Sequence, residues 1–200
     1  MKKLMIASKN KGKIKEYIDL LKPFNIDVVS YLDYEYIDDV VESGSSFNEN
    51  AMIKAKHASL ISDLPSIADD SGLEVFALNN APGIYSKRYS ESGSDIDNNE
   101  LLLENMSKVE DRRARFVCVI VFYEPLSGFH PYYGEVNGTI LSERKGTMGF
   151  GYDPLFNINH LNKTMAECSV EEKNKYSHRG IAMNKLLNDL VEKKYENYSL

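Results

Sequence analysis

The sequence predicts an α/β fold, a mixed β-sheet that is long and bent, with helices on its faces. Three observations lead there. The chain opens with a strand–loop–helix–strand unit, apolar at residues 4–7 and 26–29 with a helical stripe between them. The segment RARFVCVIVFYEP, residues 113–125, is apolar almost throughout, which suits a central strand buried on both faces. YYGEVNGTIL, residues 132–141, follows closely enough to lie beside it as an antiparallel neighbour.

The elements follow in order. Strand 4–7 is broken by SKNKGK, residues 8–13. Ile14, Tyr17, Ile18 and Leu21 then recur at i, i+3, i+4 and i+7, one face of a helix that Pro23 stops. Residues 26–29 read as the second strand. Ser46 and Glu49 have capping-box spacing and open a helix to about residue 61, with Phe47, Ala51, Ala55 and Ala58 as its apolar stripe. Residues 64–68 read as a strand ending at Asp69, and 73–78 as another before the turn NNAPG. A helix is expected over 97–106, with Asp97 and Glu100 as a second capping pair. The last helix starts near Ser177 and buries Met183, Leu186, Leu187, Leu190 and Val191. No linker or repeat interrupts this pattern, so one domain over residues 1–200 is expected.

Composition narrows the function. With 42% hydrophobic and 27% charged residues in 200, the chain can bury a core. A formal net charge of -6 argues against a polynucleotide partner, while local lysines or a metal leave a small anionic ligand open. Cys118 and Cys168 lack metal-ligand spacing and read as buried thiols of a reducing compartment. The N-terminal apolar run is too short for a signal peptide, and no run approaches membrane-spanning length. A soluble, cytoplasmic protein without membrane contact is expected.

Four polar loops could carry chemistry. Ser8, Lys9, Asn10, Lys11, Gly12 and Lys13 lie between a strand and a helix N-terminus, where amides and lysines favour an anion. A solvated lysine-rich turn has the same composition. Asp69 and Asp70 follow a strand, the usual site location in open α/β sheets. Paired carboxylates there can bind Mg²⁺, and a metal-bound water beside one of them is a nucleophile awaiting a base. One capping a turn and one solvated is the alternative. Glu42 is a further acidic candidate. In GTMGFGYDPLF, residues 146–156, Phe150 and Tyr152 offer flat faces on which a base could stack. In KNKYSHRG, residues 173–180, His178 and Arg179 could donate to a keto oxygen. The last two loops also read as an ordinary structural turn and a helix start.

SKNKGK, SFNENAMIKAKHA, IADDSGLEVFALNNAPGIYSKRYS, GTMGFGYDPLF and EEKNKYSHRGIAMNKL together resemble, in order and spacing, the inosine/xanthosine triphosphate pyrophosphatases, which act on non-canonical purine nucleoside triphosphates. The resemblance runs from Leu4 to about Leu190. It implies a long curved mixed sheet with helices, in two lobes around a central cleft. It implies hydrolysis of ITP, dITP or XTP to the monophosphate and pyrophosphate with Mg²⁺, cleansing the nucleotide pool, in a homodimer. It assigns residues 8–13 to phosphates, Asp70 to general base and metal ligand, and Glu42 to a metal-side carboxylate. Ser71 would contact substrate. Phe150, Gly151, Tyr152, Asp153, Lys173, His178 and Arg179 would form the base pocket, and Asp69 and Lys54 would support the metal site. Two departures stand out: Ser8-Lys9-Asn10 adds a charge to the family's usual first loop, and Ala166-Glu167-Cys168 replaces Ala-Glu-Leu. Two other readings remain: a related pyrophosphatase for modified pyrimidine or canonical nucleotides, and a nucleotide-binding regulator without catalysis.

Overall fold

The structure, a computed structural model, describes residues 2–35, 37–38 and 40–192. The first strand β1 (Lys2–Ile6), helix α1 (Lys11–Leu21) and β2 (Ile26–Ser30) form a parallel unit in which Leu4 lies opposite Val28. Helix α2 (Phe47–Ser62) leads to β3 (Ser66–Val75), which pairs with the other side of β1, again parallel, with Ile6 opposite Ile67. Next come β4 (Ala81–Pro82), α3 (Asp95–Asn105), β5 (Arg113–Glu124) and β6 (Gly128–Ile140). The short strands β7 (Phe156–Ile158) and β8 (Lys163–Thr164) precede α4 (Val170–Tyr176) and α5 (His178–Val191).

Among the described residues one open sheet runs β2-β1-β3-β5-β6-β7-β8, with β4 paired antiparallel to β3 off that path. The α/β expectation of a mixed sheet flanked by helices holds. The chain divides into two compact units. The first is Met1–Asp70, Val119–Tyr133 and Gly180–Leu200, and the second is Ser71–Cys118 and Gly134–Arg179. The boundaries fall inside β3, β5, β6 and α5.

In the first unit the order β2-β1-β3 places one neighbour on each side of β1. Parallel crossovers are right-handed, so a connection moving one way along a sheet and one moving back lay their helices on opposite faces. Helices α1 and α2 are those two connections. Tyr17 and Leu21 of α1, and Ala51, Ala55 and Ala58 of α2, are fully buried, as the periodicity predicts. The three alanines leave no bulk between helix and sheet. Leu4, Met5, Ile67, Ile120, Phe122, Met183 and Leu186 join them in burial, each apolar side chain contributing about 1.5–3 kcal/mol. In the second unit Leu73, Leu102, Phe116, Tyr152, Phe156 and Met165 belong to one apolar cluster.

Several boundaries differ from the sequence reading. Strand β3 is continuous through Asp69-Asp70-Ser71-Gly72, where a loop was expected, and it stops at Val75, with residues 76–78 in a 3-10 turn. Helix α3 starts at Asp95 because Ser94, not Asp97, is the cap: its hydroxyl accepts from the Asp97 N–H. The C-terminal helix is preceded by α4, capped by Ser169 and Glu172, with a break at Ser177. Ile18, at 44%, and Val191, at 51%, are exposed rather than part of the buried stripes.

Candidate active site

Two sets of polar residues, one in each unit, gather the residues singled out above. The first set starts at the end of β1. Asn10 caps α1, its Oδ1 accepting from the Gly12 N–H at 2.9 Å and the Lys13 N–H at 3.2 Å, while its own N–H donates to Ser8 Oγ at 3.1 Å. The loop is therefore shaped by its own side chains, and the cap takes two first-turn amides that the sequence suggested for an anion. Its positive charge remains: Lys9 and Lys11 are exposed, and Lys9 Nζ donates to the Ile37 carbonyl at 3.3 Å. Lys13 is half-buried and lies 2.9 Å from Asp69 Oδ2.

Asp69 and Asp70 are both buried, and each forms an ion pair with a lysine of a different helix. Successive side chains of a strand point to opposite faces, and α1 and α2 lie on opposite faces of this sheet. Asp69 meets Lys13 of α1, and Asp70 meets α2. Asp70 Oδ1 accepts from Lys54 Nζ at 2.8 Å, and Oδ2 accepts from Asn50 Nδ2 at 3.3 Å. Lys54 Nζ also stands 3.0 Å from Glu42 Oε1. Burial pushes the Asp70 carboxyl up, Lys54 draws it back, and the Glu42 charge raises it again; the outcome is a pKa above the ordinary 3.8. Burial alone would lower the Lys54 ammonium, but Asp70, Asp69 and Glu42 more than offset it and hold it above the usual lysine value.

Glu42 and Asp70 thus grip one cation between hard oxygen donors. Among the described residues no group of three or more His, Cys, Asp or Glu side chains could hold a metal ion. Mg²⁺ commonly takes only one or two carboxylates, the rest coming from water and substrate phosphates. The residues present fit such an ion. Asn50, which sequence reasoning missed as a site residue, ties the two carboxylates together. Its Nδ2 reaches Asp70, and its Oδ1 accepts from the Gly44 N–H at 2.8 Å, two residues beyond Glu42. A Cβ on Gly44 would lie 2.7 Å from that same Oδ1, so a glycine permits the close approach. The signal was present in the SFNENA motif, on the buried face of α2.

The second set lies in the other unit. Phe150 is half-buried, with Lys173 Nζ and Arg179 Cζ each 5.6 Å from its ring centroid. Lys173 Nζ donates to Asp153 Oδ2 at 2.8 Å, and the Phe150 N–H donates to the same oxygen at 3.1 Å. Gly149, at φ +84°, completes this turn: a Cβ there would stand 2.0 Å from Asp153 Oδ2. Arg179, only 3% exposed, donates from Nη2 to Ser71 Oγ at 3.1 Å. His178 is buried and stacks on Phe116 at 4.7 Å between centroids. Tyr152 lies in the apolar cluster, with its O–H donating to the Ser86 carbonyl at 2.9 Å. Its ring therefore packs the core, and Phe150 offers the more accessible face. Gly151 is bonded on both sides by α3, to Asp95 and Asn99, two further residues the sequence reading did not select.

The first set can hold a cation and polyphosphate oxygens and can take a proton at Asp70. The second offers an aromatic face, Phe150, beside two cationic side chains, Lys173 and Arg179, with His178 stacked on Phe116. Comparison with known proteins shows the family. The model of the Ham1 family matches residues 4–189. A protein of Desulfotalea psychrophila named dITP/XTP pyrophosphatase is 48% identical over 90% of this chain and 81% of its own length. One of Staphylococcus epidermidis with the same name is 48% identical over 92% of this chain and 93% of its own. The solved Ham1 protein of Staphylococcus aureus is 44% identical with a TM-score of 0.85, covering 97% of this chain and 100% of that one. A HAM1 protein of Coxiella burnetii is 38% identical with a TM-score of 0.87, covering 96% and 100%. By both sequence and fold, this chain belongs to the Ham1 family.

Proposed function

We propose that the chain hydrolyses non-canonical purine nucleoside triphosphates, ITP, dITP and XTP, to the monophosphate and pyrophosphate. The observation that carries this reading is the buried Asp70 carboxylate, which together with Glu42 meets the Lys54 ammonium, while Asp69 next to it in β3 meets Lys13 of the lysine-rich loop. The names of the relatives, dITP/XTP pyrophosphatases, support the substrate class.

Asp70 takes the proton of the water that attacks the α-phosphorus. Burial outweighs the pull of Lys54 and holds its carboxyl above the ordinary aspartate value, which makes it a better base than an exposed aspartate. Lys54 and Asn50 orient its two oxygens. The lysines of the loop, Lys9, Lys11 and Lys13, face the anionic tail and the charge that grows on the leaving pyrophosphate. Glu42 and Asp70 would hold Mg²⁺, whose chemistry here is to neutralise polyphosphate charge and activate water.

The base is served by the second set. Phe150 stacks on it, and Lys173, His178 and Arg179 supply donors. Hypoxanthine and xanthine carry a keto oxygen at position 6 that accepts such bonds. Adenine presents an amino group there and leaves buried donors unmatched, the kind of mismatch by which a hydrogen-bonding site rejects an analogue. Mg²⁺ as the ion, a homodimer and a cytoplasmic location are also part of this reading. They rest on the family resemblance and, for the location, on composition.

A pyrophosphate-release panel tests the proposal. The wild-type chain with Mg²⁺ should turn over ITP, dITP and XTP well ahead of ATP and UTP. Asp70→Asn should lose about 10²–10⁴-fold in kcat while keeping its circular-dichroism spectrum. Strong activity on UTP or ATP beside little on ITP would overturn the substrate class, and binding of ITP without turnover would favour a regulator.

A further inference from the structure

We propose that Asp95 and Asn99 are positioning residues for base selectivity, clamping the backbone of Gly151 from one face of α3. The inference rests on the reading of Phe150, Lys173 and Arg179 as the base site. The two residues stand at i and i+4 of the helix, on one face. The Gly151 N–H donates to Asp95 Oδ2 at 2.8 Å, and Asn99 Nδ2 donates to the Gly151 carbonyl at 2.8 Å. One helical turn therefore holds both polar groups of a residue 52 to 56 positions away in the chain.

Gly151 has φ +60°, and a Cβ on it would meet nothing within 4 Å. Its glycine thus answers to backbone conformation rather than to room, and the two bonds fix that conformation. On one side lies Phe150, the proposed stacking face. On the other lies Tyr152, anchored to Ser86. With Gly151 held by α3 and Tyr152 anchored to Ser86, the two residues that follow Phe150 are tethered, and α3 thereby helps to set the ring relative to Lys173 and Arg179.

The clamp is itself braced. Lys87 Nζ lies 2.9 Å from the other oxygen of Asp95. Partial burial draws the Asp95 carboxyl up, but the Gly151 N–H and Lys87 outweigh it and keep the group below its ordinary value. Asn99 is 3% exposed, and its Nδ2 faces the carbonyls of Asp95 and Gly151. Its Oδ1 is buried with no hydrogen-bond partner among the described residues. Turning the amide over would set oxygen against both carbonyls, so only this orientation serves. A side chain kept for packing alone gains nothing from a buried unmatched oxygen; one kept to aim a donor at Gly151 does.

The test compares the wild-type chain with Asn99→Ala, Asp95→Ala and Asp95→Asn. Calorimetry measures binding of inosine monophosphate, and pyrophosphate release gives kcat and KM on ITP and ATP. Asn99→Ala should weaken inosine monophosphate binding and raise KM for ITP about 5- to 10-fold, the range of one lost hydrogen bond. Its kcat should stay within about 2-fold, because Asp70 and its partners are unaffected. The ITP-over-ATP ratio of kcat/KM should narrow by a similar factor. Asp95→Asn keeps an acceptor for the Gly151 N–H and should fall between Asp95→Ala and wild type; it also carries the test should Asn99→Ala fail to fold. Unchanged nucleotide affinity and selectivity in folded variants would overturn the clamp, as would a loss confined to kcat. A wild-type chain that binds inosine monophosphate but releases no pyrophosphate from ITP would sink the catalytic reading instead, leaving the clamp to be judged on binding.

Discussion

Lys54 places one ammonium group against two carboxylates, Glu42 and Asp70, and this arrangement makes the first set legible as a cation site. Lys54→Met removes the charge at similar length. Asp70 is then buried without its counter-ion, and the variant should lose about 3 kcal/mol of stability in metal-free buffer. Added Mg²⁺ should recover part of it, raising the melting temperature of Lys54→Met more than that of the wild type. A melting temperature indifferent to the ion in both chains would contradict the cation site. Asn50→Ala cuts the link from Asp70 to the segment after Glu42, and its kcat should fall about 5- to 10-fold with KM nearly constant. Asp70 stood out in the sequence as one of two carboxylates at the end of an apolar strand, whereas Glu42 was singled out for a metal only through the family resemblance. The part played by Lys54 was only glimpsed, and that of Asn50 not at all. Their contacts cross from helix to strand, a distance that spacing along the chain does not encode.

At the scale of elements, the turn carrying Phe150 depends on backbone geometry. Gly149→Ala would force a Cβ onto Asp153 Oδ2 at a positive φ, so it should cost about 2–3 kcal/mol and raise KM for ITP; chemical denaturation and kinetics check both. Helix α3 adds a pH dependence. The folded Asp95 pKa is depressed, so its bonds to Gly151 and Lys87 stabilise fully above the ordinary value of 3.8, and that stabilisation fades as pH falls through the lower folded value. Wild type and Asp95→Asn should therefore differ in stability at neutral pH and converge in acid, as denaturant midpoints would report. Divergence in acid would refute the sign. Most elements were legible, since the periodicities of α1 and α2 and the apolar run of β5 depend on local order. The loop expected at Asp69-Asp70 was a strand because helices on the two faces supply cations that let carboxylates stay inside a sheet. The start of α3 was misjudged because Ser94, Asp95 and Asp97 all suit a cap, and only the hydrogen bond selects among them.

At the scale of the whole molecule, the strands β3, β5 and β6 each carry residues of both compact units. The fourth crossing, between Arg179 and Gly180, falls within helix α5, so every passage between the units lies inside a regular element and leaves no linker at which one could melt alone. Urea unfolding should thus show one transition, coincident by near- and far-ultraviolet circular dichroism; two separated transitions would contradict this. The α/β class was legible because strand–helix–strand order is written in hydrophobic periodicity, whereas the division into units was not, since no composition change marks it. Membership of the Ham1 family joins this fold to relatives named for dITP and XTP. The central claim is that water, deprotonated at Asp70, attacks the α-phosphorus of an inosine or xanthosine triphosphate. Hydrolysis of ITP in heavy-oxygen water, followed by mass spectrometry of the products, tests it most directly. The account predicts label in the monophosphate and none in the pyrophosphate; label in the pyrophosphate, or release of inorganic phosphate instead, would contradict it.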